Sequence, residues 1–123
     1  MQLCVNPQQR YAKMRAHTAT HLLHAALLCY FPMTKQAGSF VDSDLLRFDF
    51  YADVLLTAQQ LKEIETLINQ QIYGAFPVSL TETSFDEAVK LGAKAFFEEK
   101  YEDVVRLIRV YDGDTLVSAE LCG

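Results

Sequence analysis

The spacing of apolar and polar residues changes several times along this 123-residue chain, and each change marks an element. From Met14 to Tyr30 the chain is rich in Ala and Leu and free of Gly and Pro, which predicts a long helix. Pro32 ends it, because the residue before a proline is pushed out of helical geometry. Residues 1 to 10 contain Pro7, show no clear period and read as a strand or extended lead-in. Leu46, Phe48 and Phe50 alternate with Leu45, Arg47 and Asp49. Together with Lys35 to Val41 and the turn signal Asp42-Ser43-Asp44, that alternation predicts a half-buried antiparallel hairpin. A second helix begins at Thr57, with Gln60 three residues on as its capping-box partner. Leu61, Ile64, Ile68 and Ile72 form its apolar stripe, and Gly74 and Pro77 stop it. A strand over residues 77 to 82 leads to Ser84, which with Glu87 caps a short helix over 85 to 91, closed by Gly92. Two last strands, over about residues 103 to 111 and 115 to 121, meet at Asp112-Gly113-Asp114, a hairpin signal. The order predicts an α+β fold in which a mainly antiparallel sheet packs against the long first helix and the second, amphipathic one.

Half of the residues are apolar, enough for the core of one domain over residues 1 to 123. No run approaches the ~20 apolar residues of a membrane span, and no charged-then-apolar leader opens the chain, so a cytoplasmic protein with no membrane partner is expected. Cys4, Cys29 and Cys122 are odd in number and widely spaced, which argues against a disulfide framework. Cys4 and Cys29 read as buried thiols, with the Cys29 side chain entering the core. The formal net charge of −5 offers no global attraction to a phosphate backbone. A nucleic-acid partner would need a local basic patch, for which Arg10, Lys13 and Arg15 are the densest cluster.

The first helix carries unusual chemistry in its stretch HTATHLLHAALL, residues 17 to 28. At ~100° per residue, His17, His21 and His24 fall within about 60° of arc and share one face. His17 and His21, about 6 Å apart along the axis, can converge on one ion through metal–nitrogen bonds of ~2.0–2.1 Å. The i,i+3 pair His21 and His24 is a less usual competitor. All three span ~10.5 Å, too far for a single ion, so His24 is either a group supporting the ligands or a packed core residue. Zinc needs further ligands, and Cys122 near the end of the chain would complete a His/His/Cys set as a thiolate; its alternative is a buried terminal thiol. There is no GxSxG and no serine or cysteine beside an obvious base, which disfavours a covalent acyl intermediate.

Four blocks, HTATHLLHAAL, KQAGSFVDSDLLRFDF, LGAKAFFEEKYEDVVRLIRV and a terminal ELCG, follow in an order that resembles the editing domain of alanyl-tRNA synthetase and its free-standing relatives. The resemblance covers about residues 8 to 123. It implies hydrolysis of the tRNA for alanine wrongly charged with serine or glycine, recognised at its 3′ end. Zinc would be held by the HxxxH histidines, here His17 and His21, and by the cysteine and last histidine of a Cys-Gly-Gly-Thr-His segment. Cys122 and Gly123 match the first two positions of that segment, so the chain reads as a piece cut from a longer synthetase, whose other domains would be its partners and would bind ATP. Lacking the fourth ligand, this chain is expected to hold zinc poorly. The glutamine before the Gly-Ser turn falls on Gln36, whose amide would bond the hydroxyl of a wrong serine, and Thr18 is a second candidate for that contact. Two other functions stay open for a chain with three of four ligands: an inert tRNA-docking module and a structural zinc domain.

Overall fold

The computed structural model describes residues 1–93 and 102–122. Residues 94–101 and 123 lie outside it, among them part of the LGAKAFFEEKYEDVVRLIRV block and Gly123 of ELCG. The described residues form helices and antiparallel strands, an α+β fold, in two compact units, residues 1–70 and 71–123.

In the first unit, α1 runs Pro7–Tyr30. It starts about two turns before the apolar pattern begins, which corrects the reading of residues 7 to 10 as extended. The Asn6 side-chain oxygen accepts from the N–H groups of Gln8 and Gln9 at 3.0 and 3.2 Å. Pro7 takes the first helical position, where a missing N–H leaves no bond unmade. Residues 7–11 are all exposed, so no apolar period was needed there. After α1 come β1 (Lys35–Val41) and β2 (Leu46–Tyr51), the expected antiparallel hairpin, with a bulge between Gln36 and Gly38.

The second helix, α2 (Ala58–Tyr73), opens on the expected reciprocal cap. The Thr57 N–H donates to Gln60 Oε1 at 2.9 Å, and the Gln60 N–H donates to Thr57 Oγ1 at 3.2 Å. Ala26 and Leu27 of α1 and Ile64 of α2 are the buried heart of this unit's core, with Phe48 and Phe50 of β2 packed on it. Burying each large apolar side chain there is worth roughly 1.5–3 kcal/mol, and this packing fixes the face that α1 turns inward.

In the second unit, β3 (Val78–Ser84), β4 (Val104–Asp112) and β5 (Thr115–Cys122) form an antiparallel sheet in that order. The predicted antiparallel strands are therefore divided between a two-stranded and a three-stranded sheet. Gly113 supplies the φ of +57° that the turn between β4 and β5 demands. Directly after β3, α3 (Phe85–Lys90) is capped by Ser84 Oγ, which accepts from the Glu87 N–H at 3.3 Å. Ala88 of α3 packs on Val105, Leu107 and Ala119 to make this unit's own core. Among the described residues, no helix is long and apolar enough to cross a membrane.

Candidate metal centre

The imidazoles of α1 occupy three different environments. His17 is half-buried, His21 is 7% exposed and His24 is 1% exposed. The stripe thus descends from the surface into the core in two turns of helix. The His17 and His21 ring centroids lie 4.9 Å apart. Two imidazoles bound to one tetrahedral ion through ~2.0–2.1 Å bonds would have centroids about 5.2 Å apart, so this pair is already spaced for a shared ion. His24 instead lies against the Phe48 ring, with centroids 5.3 Å apart, and is a packed core residue.

Cys122 is half-buried at the end of β5, where it pairs with Arg106 of β4. Among the described residues, His17, His21 and Cys122 form a group of side chains able to hold a metal ion, offering two nitrogens and one sulfur. That donor set suits zinc, a borderline-soft cation that takes both imidazole and thiolate. The other two thiols do not sit as expected. Cys4 and Cys29 are both exposed, which corrects the reading of each as buried. Cys29 falls on the outer side of α1, its S–H directed to the Ala25 carbonyl at 3.5 Å.

Gln36 is exposed on β1, paired with Phe50 across the hairpin. Directly paired residues share a face of the sheet, so Gln36 lies on the side carrying Phe50 and Phe48, the side that packs against α1. The adjacent bulge, at Gln36/Gly38, turns the strand where this side chain leaves it. Thr18 is half-buried in the middle of α1.

Glu120 escapes a reading of the sequence alone. It is 7% exposed and stands two residues from Cys122 on the same face of β5. Its signal is faint, since a carboxylate at an inward strand position looks like any solvated acid until burial is known. At the outer end of α1, the Lys13 ammonium meets Asp42 Oδ1 at 3.0 Å. That hydrogen bond, helped by the Ser43 N–H, lowers the Asp42 carboxyl below its ordinary value of 3.8. An open groove elsewhere in the first unit, beside Tyr30, Lys62 and Glu63, contains none of these residues.

No family model matches the chain. Over 122 residues it is 48% identical to the alanine–tRNA ligase of Thermotoga maritima, a match covering 98% of the chain and 14% of that ligase. Over 120 residues it is 47% identical to the alanine–tRNA ligase of Francisella tularensis subsp. novicida and 45% identical to that of Dichelobacter nodosus. Those two matches cover 97% of the chain and 13% and 14% of the ligases. The chain is thus homologous to one segment of the alanine–tRNA ligases and spans about a seventh of their length.

Proposed function

We propose, from this homology to one segment of the alanine–tRNA ligases, that the chain is a proofreading domain. It would hydrolyse the ester of serine or glycine wrongly joined to the tRNA for alanine, with zinc held by His17, His21 and Cys122. The observation that carries this reading is the imidazole pair, one turn apart with centroids 4.9 Å apart, on a helix whose inner face is locked by packing.

The aminoacyl ester is already activated, so the protein's main task is positioning rather than supplying a strong nucleophile. Zinc held by His17, His21 and Cys122 would supply Lewis acidity to the ester carbonyl or to an attacking water. The protein's part is to hold the ligands rigid, and α1 does this through Leu22, Ala26 and Leu27, which are buried on the same helix. With Cys122 taken as a metal ligand beside His17 and His21, the reading favours direct attack by water over a covalent acyl intermediate.

A site that loads alanine cannot exclude glycine by size and rejects the extra hydroxyl of serine only modestly, so a second, hydrolytic site is the physical remedy. Gln36 and Thr18 are proposed to reward the serine hydroxyl, a hydrogen bond that correctly charged alanine cannot make. The remaining ligase domains and the mischarged 3′ end are the proposed partners, and the cytoplasm the proposed location.

The test is deacylation with added zinc. Seryl-tRNA for alanine is expected to be hydrolysed, alanyl-tRNA to be spared, and the reaction to be lost in His21→Ala. The same comparison on a chain lengthened by Gly-Thr-His, the continuation that the resemblance implies, is expected to show a faster reaction. Equal hydrolysis of seryl- and alanyl-tRNA, or a rate that His21→Ala leaves unchanged, would contradict the proposal.

A further inference from the structure

The charges of this acidic chain are not evenly spread. Its first 41 residues contain Arg10, Lys13, Arg15 and Lys35 and no Asp or Glu; all 16 acids lie from Asp42 onward. The region that holds the imidazole pair is therefore a cationic island, and three of its four cations lie on the outer half of α1, where all three are exposed. Charge asymmetry of this kind points to a polyanionic partner.

The helix sorts these cations further. At ~100° per residue, Arg10 lies about 20° from His17 and from His21 around the axis, and Lys13 about 40° from His17. Arg15 lies about 160° from His17, on the opposite side. Along the axis, Lys13 precedes His17 by about 6 Å and Arg10 by about 10.5 Å. One stripe thus runs from exposed Arg10 and Lys13, through half-buried His17, to buried His21. Cations stand at the solvent end and candidate metal ligands at the end that enters the core.

We propose that Arg10 and Lys13 form a phosphate track that holds the single-stranded 3′ end of tRNA and directs it along α1. The terminal ester lies at His17 and His21, and the preceding phosphates run outward towards the N-terminus of α1. This assignment rests on the proofreading reading for what happens at the ester, but the binding itself does not. Two features of α1 bear on its strength. No acid occupies the first turn of the helix, so the positive end of the helix dipole adds to the cationic field. Asp42 competes for Lys13, which it holds at 3.0 Å, so the track is partly neutralised until RNA displaces it.

The test is binding of uncharged, labelled tRNA for alanine to the whole chain across a decade of salt. Each single-strand phosphate contact contributes a slope of about 0.7 in log K against log salt, equivalent to about fivefold in affinity between 0.1 and 1 M salt. Arg10→Gln and Lys13→Gln are each expected to lower the slope by about 0.7 and weaken binding about fivefold at 0.1 M salt. Arg15→Gln, which removes the same charge from the wrong side of the same helix, is expected to change the slope by less than half as much. Asp42→Asn is expected to tighten binding by freeing Lys13. All of these positions are solvent-facing or half-buried, and circular dichroism checks that each variant folds.

Equal slopes for the Arg10, Lys13 and Arg15 variants would overturn the track. So would the absence of salt-dependent tRNA binding, or duplex DNA of matched length that binds equally well with the same dependence on Arg10. If tRNA binding follows the predicted pattern but seryl-tRNA is not hydrolysed, the proofreading reading fails and the track stands. If seryl-tRNA is hydrolysed but binding does not depend on Arg10 and Lys13, the track fails and the proofreading reading stands.

Discussion

The two long helices of the first unit differ in what they bury. Only Ile64 of α2 is fully buried, flanked by half-buried Leu67 and Ile68, and most of the rest of that helix is exposed. The helix α1 buries six residues, and three of them, Thr20, His21 and His24, are polar. A helix that serves packing alone needs one narrow apolar stripe, as α2 shows. Placing imidazoles inside costs desolvation that an apolar residue would avoid, so their presence on α1 signals a purpose beyond packing. His24 shows that the purpose is not shared by all three, since its ring lies against Phe48 in the core.

The contrast can be broken most forcefully at the core that the helices share. Leu27 is 2% exposed, and Leu27→Ala is expected to cost about 2–5 kcal/mol in a denaturant titration. Leu61→Ala on the outer side of α2, where Leu61 is 54% exposed, is expected to cost under about 1 kcal/mol. Similar losses at both positions would mean that α2 packs more than its exposure suggests.

The two buried histidines sharpen the contrast within α1. His21→Ala is expected to weaken zinc binding by more than the roughly 10–100-fold that loss of a supporting group costs, with a small change in stability. His24→Ala is expected to do the reverse, losing stability by cavity formation while zinc affinity holds. Calorimetric zinc titrations and thermal melts on both variants decide it. If both variants lose zinc, the i,i+3 pair His21 and His24 is the metal pair; if the two exchange phenotypes, His21 is not a ligand.

A smaller effect is expected at the start of α2. Removing the Thr57 cap with Thr57→Ala should cost about 1 kcal/mol, leaving zinc binding unchanged. The smallest concerns the link from α1 to the hairpin turn. Because Lys13 lowers the Asp42 carboxyl in the folded state, the stability it contributes is present above the ordinary value of 3.8 and is lost as pH falls through the lower folded value. The melting temperature of Asp42→Asn is therefore expected to lie slightly below that of the natural chain at neutral pH and to meet it in strong acid. A gap that persists in acid would mean that the loss is not electrostatic.

Local signals explain what could be read in advance. The β1–β2 hairpin, the Thr57–Gln60 cap and the turn at Gly113 are set by residues within a few positions of one another, and all three formed as expected. The HxxxH pair was legible for the same reason, being a spacing on one helix. The start of α1 was readable in principle, since Asn6-Pro7 is a helix-opening pair, but without an apolar period the proline looked like a break. Burial of single side chains was not local. The exposure of Cys29 and the burial of Glu120 depend on which neighbour covers each face, which no short spacing encodes. The division of the strands between two sheets is likewise a matter of tertiary pairing.

The most direct measurement is X-ray absorption at the zinc edge of the zinc-loaded chain, compared with Cys122→Ser. If His17, His21 and Cys122 hold the ion, the natural chain shows one sulfur at about 2.3 Å and two imidazole nitrogens at about 2.0–2.1 Å, and the variant loses the sulfur alone. A coordination shell without sulfur, identical in the natural chain and the variant, would contradict the ligand set on which the proofreading proposal depends.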